Sequence, residues 1–126
     1  MKTLIVKIML LPISLLAACS SKSKQVTDFI PGSYINHAQS PYSIADDTLQ
    51  IIPDSMTENN YRIIRKTGFS RIVNGKLQGK EHEARSFNGL WDEQKRIIQI
   101  TQNGIILIFQ PGNNRLKIEN STYTKL

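Results

Sequence analysis

From Phe29 onward, apolar and polar side chains alternate in short runs. Clusters of Gly, Pro, Asn and Asp interrupt them about every 8–15 residues. A period of two places successive side chains on opposite faces of a strand. "GSYINHA" (32–38) reads as the first strand, with Tyr34 and Asn36 on one face and Ile35 and His37 on the other. Pro41 and Asp46-Asp47 mark a loop before the second strand, "TLQII" (48–52). Pro53 closes that strand, because proline cannot donate to a central ladder. "PDSMTENN" (53–60) has turn chemistry. In "YRIIRKT" (61–67), Tyr61, Ile63 and Arg65 share one face, and Arg62, Ile64 and Lys66 the other.

The strongest signals are two Asn-Gly pairs. Asn74-Gly75 sits inside "FSRIVNGKLQG" (69–79). Asn-Gly readily adopts the two left-handed conformations of a type I′ turn, so a hairpin is expected there. "EHEARSFNGLWD" (81–92) reads as a further strand ending near Trp91. In "KRIIQITQNGIILIFQP" (95–111), two apolar strands flank Asn103-Gly104 and can set Ile98 and Ile100 against Ile105, Leu107 and Phe109. "RLKI" (115–118) and "STYTKL" (121–126), split by Glu119-Asn120, end the chain. Residues 91–101 are the one window where a helix competes, and their β-branched residues favour strand. The fold class is all-β: an antiparallel meander of about seven to nine short strands, as a small barrel or a two-layer sheet. It forms one domain over residues 29–126.

The N-terminal part follows a different pattern. Lys2 and Lys7 precede an apolar run from Ile8 to Ala18, interrupted by Ser14 and Pro12. A spanning helix needs about 20 apolar residues, whereas this run covers about 16 Å of helix. A charged start, a short apolar run and small residues at its end mark an export signal. Residues 1–18 read as a signal peptide and 19–28 as a tether. "SSKSKQVTD" (20–28) is polar, small and without period, which suits a flexible linker.

The chain has 126 residues, a formal charge of +6 and a single cysteine, Cys19. With one cysteine there is no disulfide framework. Without residues 1–18, which hold Lys2 and Lys7, the basic excess falls from six to four. The basic residues between Arg62 and Lys125 are interspersed with acids and apolar residues. A nucleic-acid stripe would be clustered, so no nucleic-acid partner is expected.

The chemical inventory argues against an enzyme. The only histidines are His37 and His82. Glu81 and Glu83 share a face of their strand while His82 points the other way, so "EHE" is no metal triplet. Asp46-Asp47 could form a carboxylate pair and reads more simply as a loop cap. No metal motif, nucleophile elbow or glycine-rich phosphate loop is present, and no metal or cofactor is expected. Tyr34, Tyr61, Trp91, Phe109 and Tyr123 fall about one per strand. They are candidates for core plugs or for the walls of a ligand pocket.

Two resemblances add to this reading. Leu16-Ala17-Ala18-Cys19 resembles the lipobox of bacterial lipoproteins. That implies cleavage before Cys19 and a membrane partner reached through acyl chains, such as palmitate, on Cys19. "FIPGSYINHAQSPYSIADDTLQI", "YRIIRKTGFSRIVNGKLQGKEHE" and "GLWDEQKRIIQITQNGIILIFQPGNNRLKIENSTYTKL" are similar to a group of small lipoproteins from Bacteroidetes-type bacteria. Some members are encoded beside conjugative-transfer genes. The likeness implies an envelope lipoprotein and an accessory of a transfer apparatus, with no catalytic residue assigned. Gly32-x-Tyr34 and the meander also resemble lipocalin-like domains, whose first strand carries Gly-x-Trp. By analogy with lipoprotein sorting, the basic "SSKSK" and Ser20 imply the outer membrane, facing the periplasm. The expected function is a lipid-anchored, non-catalytic accessory that binds an envelope protein. The alternatives are a lipocalin-like carrier of a small apolar ligand and a hydrolase built on scattered carboxylates.

Overall fold

A computed structural model describes residues 23–126. Cys19 and the leader residues Leu16, Ala17 and Ala18 lie outside the described residues. A short helix over residues 23–29 is followed by nine strands. These are β1 (Gly32–Gln39), β2 (Ser43–Pro53), β3 (Asn60–Val73), β4 (Lys76–Leu77), β5 (Glu81–Asp92), β6 (Ile97–Ile100), β7 (Ile106–Gln110), β8 (Arg115–Ile118) and β9 (Ser121–Lys125). All neighbours are antiparallel, in the order β2-β1-β9-β8-β7-β6-β5-β3-β4, and β2 also pairs with β3. Eight strands therefore close into an up-and-down barrel, and β4 hangs from the end of β3. Closure removes most of the unpaired edges that an open sheet would carry.

The alternation sorts side chains as the sequence reading expects. Tyr34, Leu49, Ile51, Ile63, Trp91, Ile98, Ile100, Leu107, Phe109, Leu116 and Tyr123 all point inward and are buried. Ile98 faces Leu107 across β6–β7. Asn74 and Gly75 both take positive φ, 52° and 74°, and join β3 to β4 as a type I′ turn. Gly89 is an inward position on β5 where a side chain does not fit. A Cβ there would lie 2.4 Å from Ile98 Cγ2 and 2.9 Å from Ile63 Cδ1.

Two expectations are corrected. Asp46 and Asp47 do not form a loop. β2 begins at Ser43 and runs through both of them, pairing His37 with Asp46 and Asn36 with Asp47. The inward series Ala45, Asp47, Leu49, Ile51 keeps a strict period of two, and the charge at Asp47 is met by partners on other strands. Nor is the segment 23–28 a structureless tether. It is helical, Ile30 N–H donates to Val26 O at 3.1 Å, and Val26, Phe29 and Ile30 pack against the core. Their i, i+3, i+4 spacing forms a small apolar face, which straddles the boundary between a polar tether and a β domain.

This helix end plugs one mouth of the barrel. The Tyr34 hydroxyl donates to Phe29 O (2.9 Å) and Ile30 O (2.8 Å), and burial raises its pKa. Phe29, Tyr34 and Phe109 pack edge to face, with centroids 5.8–6.4 Å apart. At the opposite end, strand length decides the shape. β2, β3 and β5 have 11, 14 and 12 residues, whereas β6–β9 have four or five each. The long strands, with the end of β1, rise past the barrel rim as a projecting blade.

Replacing Gly89 by Ala should destabilise the fold by about 1–3 kcal/mol through overpacking against Ile98 and Ile63. A fall in the urea midpoint with unchanged slope is the expected result, and an unchanged midpoint would contradict this packing.

Candidate functional site

The open mouth lies where the Thr101–Gly104 and Glu119-Asn120 loops meet the base of the blade. The first loop is closed by Ile100 N–H to Ile105 O (2.8 Å) and Gly104 N–H to Ile100 O (2.9 Å). Beneath the rim is a cavity of about 120 Å³. Leu49, Ile63, Phe87, Ile105, Leu107 and Ile118 give it apolar walls, and Arg65, Tyr123, Asn103 and Glu119 a polar rim. Cavities that hold drug-sized ligands measure roughly 300–1,000 Å³, so this one admits only a few heavy atoms.

Beside the cavity sits Asp47, 6 % exposed and the one buried charged residue among those described. Arg65, from the cavity-facing side of β3, grips it. Its Nε donates to Asp47 Oδ1 (3.0 Å) and Oδ2 (2.9 Å), and Nη2 lies 2.7 Å from Oδ2. Thr67 Oγ1 donates to Oδ1 at 3.0 Å and the Tyr123 hydroxyl to Oδ2 at 2.5 Å. Burial pushes the Asp47 carboxyl up, but the bonds from Arg65, Tyr123 and Thr67 outweigh it and leave the pKa below the ordinary value. Burial, then the bond to Asp47, raises Tyr123, while the bond to Asp47 raises Arg65. The group is thus held as carboxylate, guanidinium and neutral phenol, a set that binds rather than exchanges protons.

Above this group the concave face of the blade carries charges of both signs. Arg65 and Arg85 stand directly opposite each other on β3 and β5, and Thr67 stands opposite Glu83. Arg85 donates from Nε to Glu83 Oε1 at 2.8 Å within its own strand. Arg71 Nε lies 3.3 Å from Glu81 Oε2, with its guanidinium 5.8 Å from the Phe69 ring. The convex face carries both histidines. The register sets His37, Asp46, Gly68 and His82 in one row across β1, β2, β3 and β5. His37 Nδ1 lies 2.5 Å from Asp46 Oδ1, and this bond lowers the Asp46 pKa. Among the described residues no group of three or more His, Cys, Asp or Glu is placed to hold a metal ion.

The five aromatics of the sequence reading do not converge. Tyr34 and Phe109 belong to the plugged end, Trp91 is buried, and Tyr61 is half-buried beside a shallow surface depression. Tyr123 alone of the five lines the mouth cavity. Glu81 and Glu83 share a face and His82 takes the other, as the alternation requires. From the sequence, Asp47 reads as part of a carboxylate pair or loop cap and Arg65 falls on the face of Ile63, without the two being brought together at the mouth. The available signal was the inward period through Ala45, Asp47 and Leu49, together with the cavity-facing position of Arg65. Comparison with family models, with curated proteins and with solved structures finds no match to this chain.

Because the folded pKa of Asp47 lies below its unfolded value of about 3.9, its charge adds stability that is fully present above that value. The contribution is lost as pH falls through the folded pKa. Wild type should therefore lose stability in acid more steeply than Asp47→Asn, which has no carboxyl to protonate. Urea unfolding across an acid pH series measures this, and parallel curves would contradict it. Tyr123→Phe removes a bond to a buried charge and should cost about 1.5–3 kcal/mol at neutral pH.

Proposed function

We propose that this protein is a lipid-anchored lipoprotein of the cell envelope that works without catalysis, by binding another protein. Its place is the periplasmic side of the outer membrane, held through acyl chains on Cys19, as an accessory of a conjugative-transfer apparatus. The observation that carries the binding role is how the molecule divides its interior from its surface. The barrel is plugged at one end and filled by side chains, with space for only about 120 Å³ beneath the open mouth. The long strands β2, β3 and β5 stand clear of the rim as a charged blade. The lipid anchor rests on the lipobox resemblance alone, and the link to conjugation on the resemblance to the small lipoproteins. The hydrolase reading has little support, because Asp47 is held ionised by three donors and so is poorly suited to act as a general acid.

One observation favours the carrier reading as a second choice. The apolar cavity lies under Arg65, so a small molecule with an anionic group could seat its tail below and its head against the guanidinium. Its size limits that ligand to about that of benzene, which enters apolar cavities of about 150 Å³.

Cys19→Ser should abolish labelling with radioactive palmitate and release the protein from sedimented membranes. Retained label and sedimentation would overturn the anchor. Photo-crosslinkers placed on the blade should capture protein in intact envelopes, while the same probe beside the plugged end, at Asn113, should not. Equal capture at both ends would contradict a binding blade. A small anionic molecule released on denaturation, and lost with Arg65→Ala, would favour the carrier.

A further inference from the structure

The stretch Glu81–Phe87 of β5 pairs with β3 on one side and, among the described residues, with no strand on the other, because β6 joins only at Gly89–Asp92. Neighbouring bonds reveal which backbone groups face outward. Thr101 N–H donates to Asn88 O at 2.9 Å, and Asn88 N–H donates to Gln102 Oε1 at 3.1 Å, both away from β3. Trp91 N–H instead donates toward β3, to Asn59 O at 2.7 Å. In an antiparallel ladder the N–H and C=O of one residue point the same way, and the direction alternates along the strand. His82, Ala84 and Ser86 therefore present their backbone groups outward in step with Asn88. Unpaired edges are usually blunted by charged side chains, lysine above all, by proline or by a bulge. The charges on this edge are of both signs, so that they can pair with one another. Between Glu81 and Phe87 there is no proline or lysine, and the register with β3 is unbroken.

We propose that this edge pairs with the same edge of a second copy of the chain, antiparallel, about a two-fold axis at Ala84. The inference rests on the protein-binding reading of the blade but not on the lipid anchor. In this register Ala84 faces the second copy's Ala84, and His82 faces the second copy's Ser86. Their outward backbone groups then meet as hydrogen-bonded pairs. Glu83 faces the second copy's Arg85, and Arg85 the second copy's Glu83. These are non-hydrogen-bonded positions, where side chains come closest. Opposite charges at such positions stabilise a sheet and like charges destabilise it. Moving the axis by half a residue sets outward backbone groups against inward ones and breaks the ladder. Moving it to Glu83 or Arg85 in the next in-phase alignment sets that residue against its own copy. Charge thus selects a single register, centred on the middle residue of the free stretch. A surface complementary to itself is what a two-fold interface requires.

A single strand edge buries less than the roughly 1,600 Å² of a standard interface, so the dimer is weak in dilute solution. Sedimentation equilibrium of the full chain in mild detergent should show a reversible monomer–dimer equilibrium toward millimolar concentration. Glu83→Arg and Arg85→Glu, both on exposed side chains, should each weaken it by about tenfold or more with unchanged circular dichroism. An equimolar mixture of the two variants restores opposite charges across the axis and should dimerise where each alone does not. A chain that stays monomeric at millimolar concentration overturns the proposal. So does a dimer indifferent to both substitutions, or a mixture that behaves as its parts. A monomer whose blade still crosslinks to a different envelope protein would overturn this pairing while leaving the protein-binding reading in place.

Discussion

The barrel depends on the seam between β1 and β9. Its ladder is only two residue pairs long, Tyr34 with Lys125 and Ile35 with Thr124. These positions lie at opposite ends of the domain, so closing them carries the loop-closure entropy of almost the whole chain. Bonds outside that ladder, from side chains and from the last backbone N–H, supply what so short a ladder cannot. Asn36 Nδ2 donates to Thr122 O at 2.8 Å, Leu126 N–H to Ser33 O at 2.9 Å, and Lys125 Nζ to Phe29 O at 2.5 Å. The Tyr123 hydroxyl reaches past β1 to Asp47 on β2. The Asp47 group is therefore a structural bond across the closure as well as the polar centre of the mouth. Lys125 also lies 4.4 Å from the centre of the Phe29 ring, tying the last strand to the plug.

The second governing feature is the mismatch in strand length. Four strands of four or five residues can close only a short barrel with three strands of 11 to 14. The surplus of the long strands has no partner within the barrel and stands out as the blade. Its inward positions, which would be apolar lower down, become mostly polar or charged, with Arg65, Thr67, Arg71, Glu81, Glu83 and Arg85 beside Phe69, since they face water rather than a core. The change from apolar to charged along one face of β3 and β5 marks the height at which the barrel stops. Capacity for a small ligand and surface for a partner are thus set by one geometric fact. The short strands limit the cavity, and the long ones supply the exposed sheet.

Much of this was legible in the chain. The period of two located most strands, Asn74-Gly75 announced its hairpin, and the faces assigned to Tyr61, Ile63 and Arg65 are those observed. The failures share one cause. Asp46-Asp47 reads as a loop because an isolated carboxylate does not belong in a strand interior. Only the arrival of Arg65, Thr67 and Tyr123 from other strands makes Asp47 tolerable there. Residues 23–28 read as a tether because their single apolar residue, Val26, means little until an open barrel end exists for it to fill together with Phe29 and Ile30.

Local alternation, turn chemistry and the lack of helical stripes beyond residue 29 determined by themselves that this is an antiparallel β meander. Each of these acts between residues a few positions apart, where sequence distance and spatial distance agree. Tertiary structure alone decided that the meander closes, which end is plugged, that a carboxylate is buried at the open end, and that Glu81–Phe87 of β5 lacks a second neighbouring strand among the described residues. Those outcomes depend on contacts such as Tyr123 with Asp47 or Lys125 with Phe29. Their partners are far apart along the chain and meet only after the curvature and length of every intervening strand have been added together.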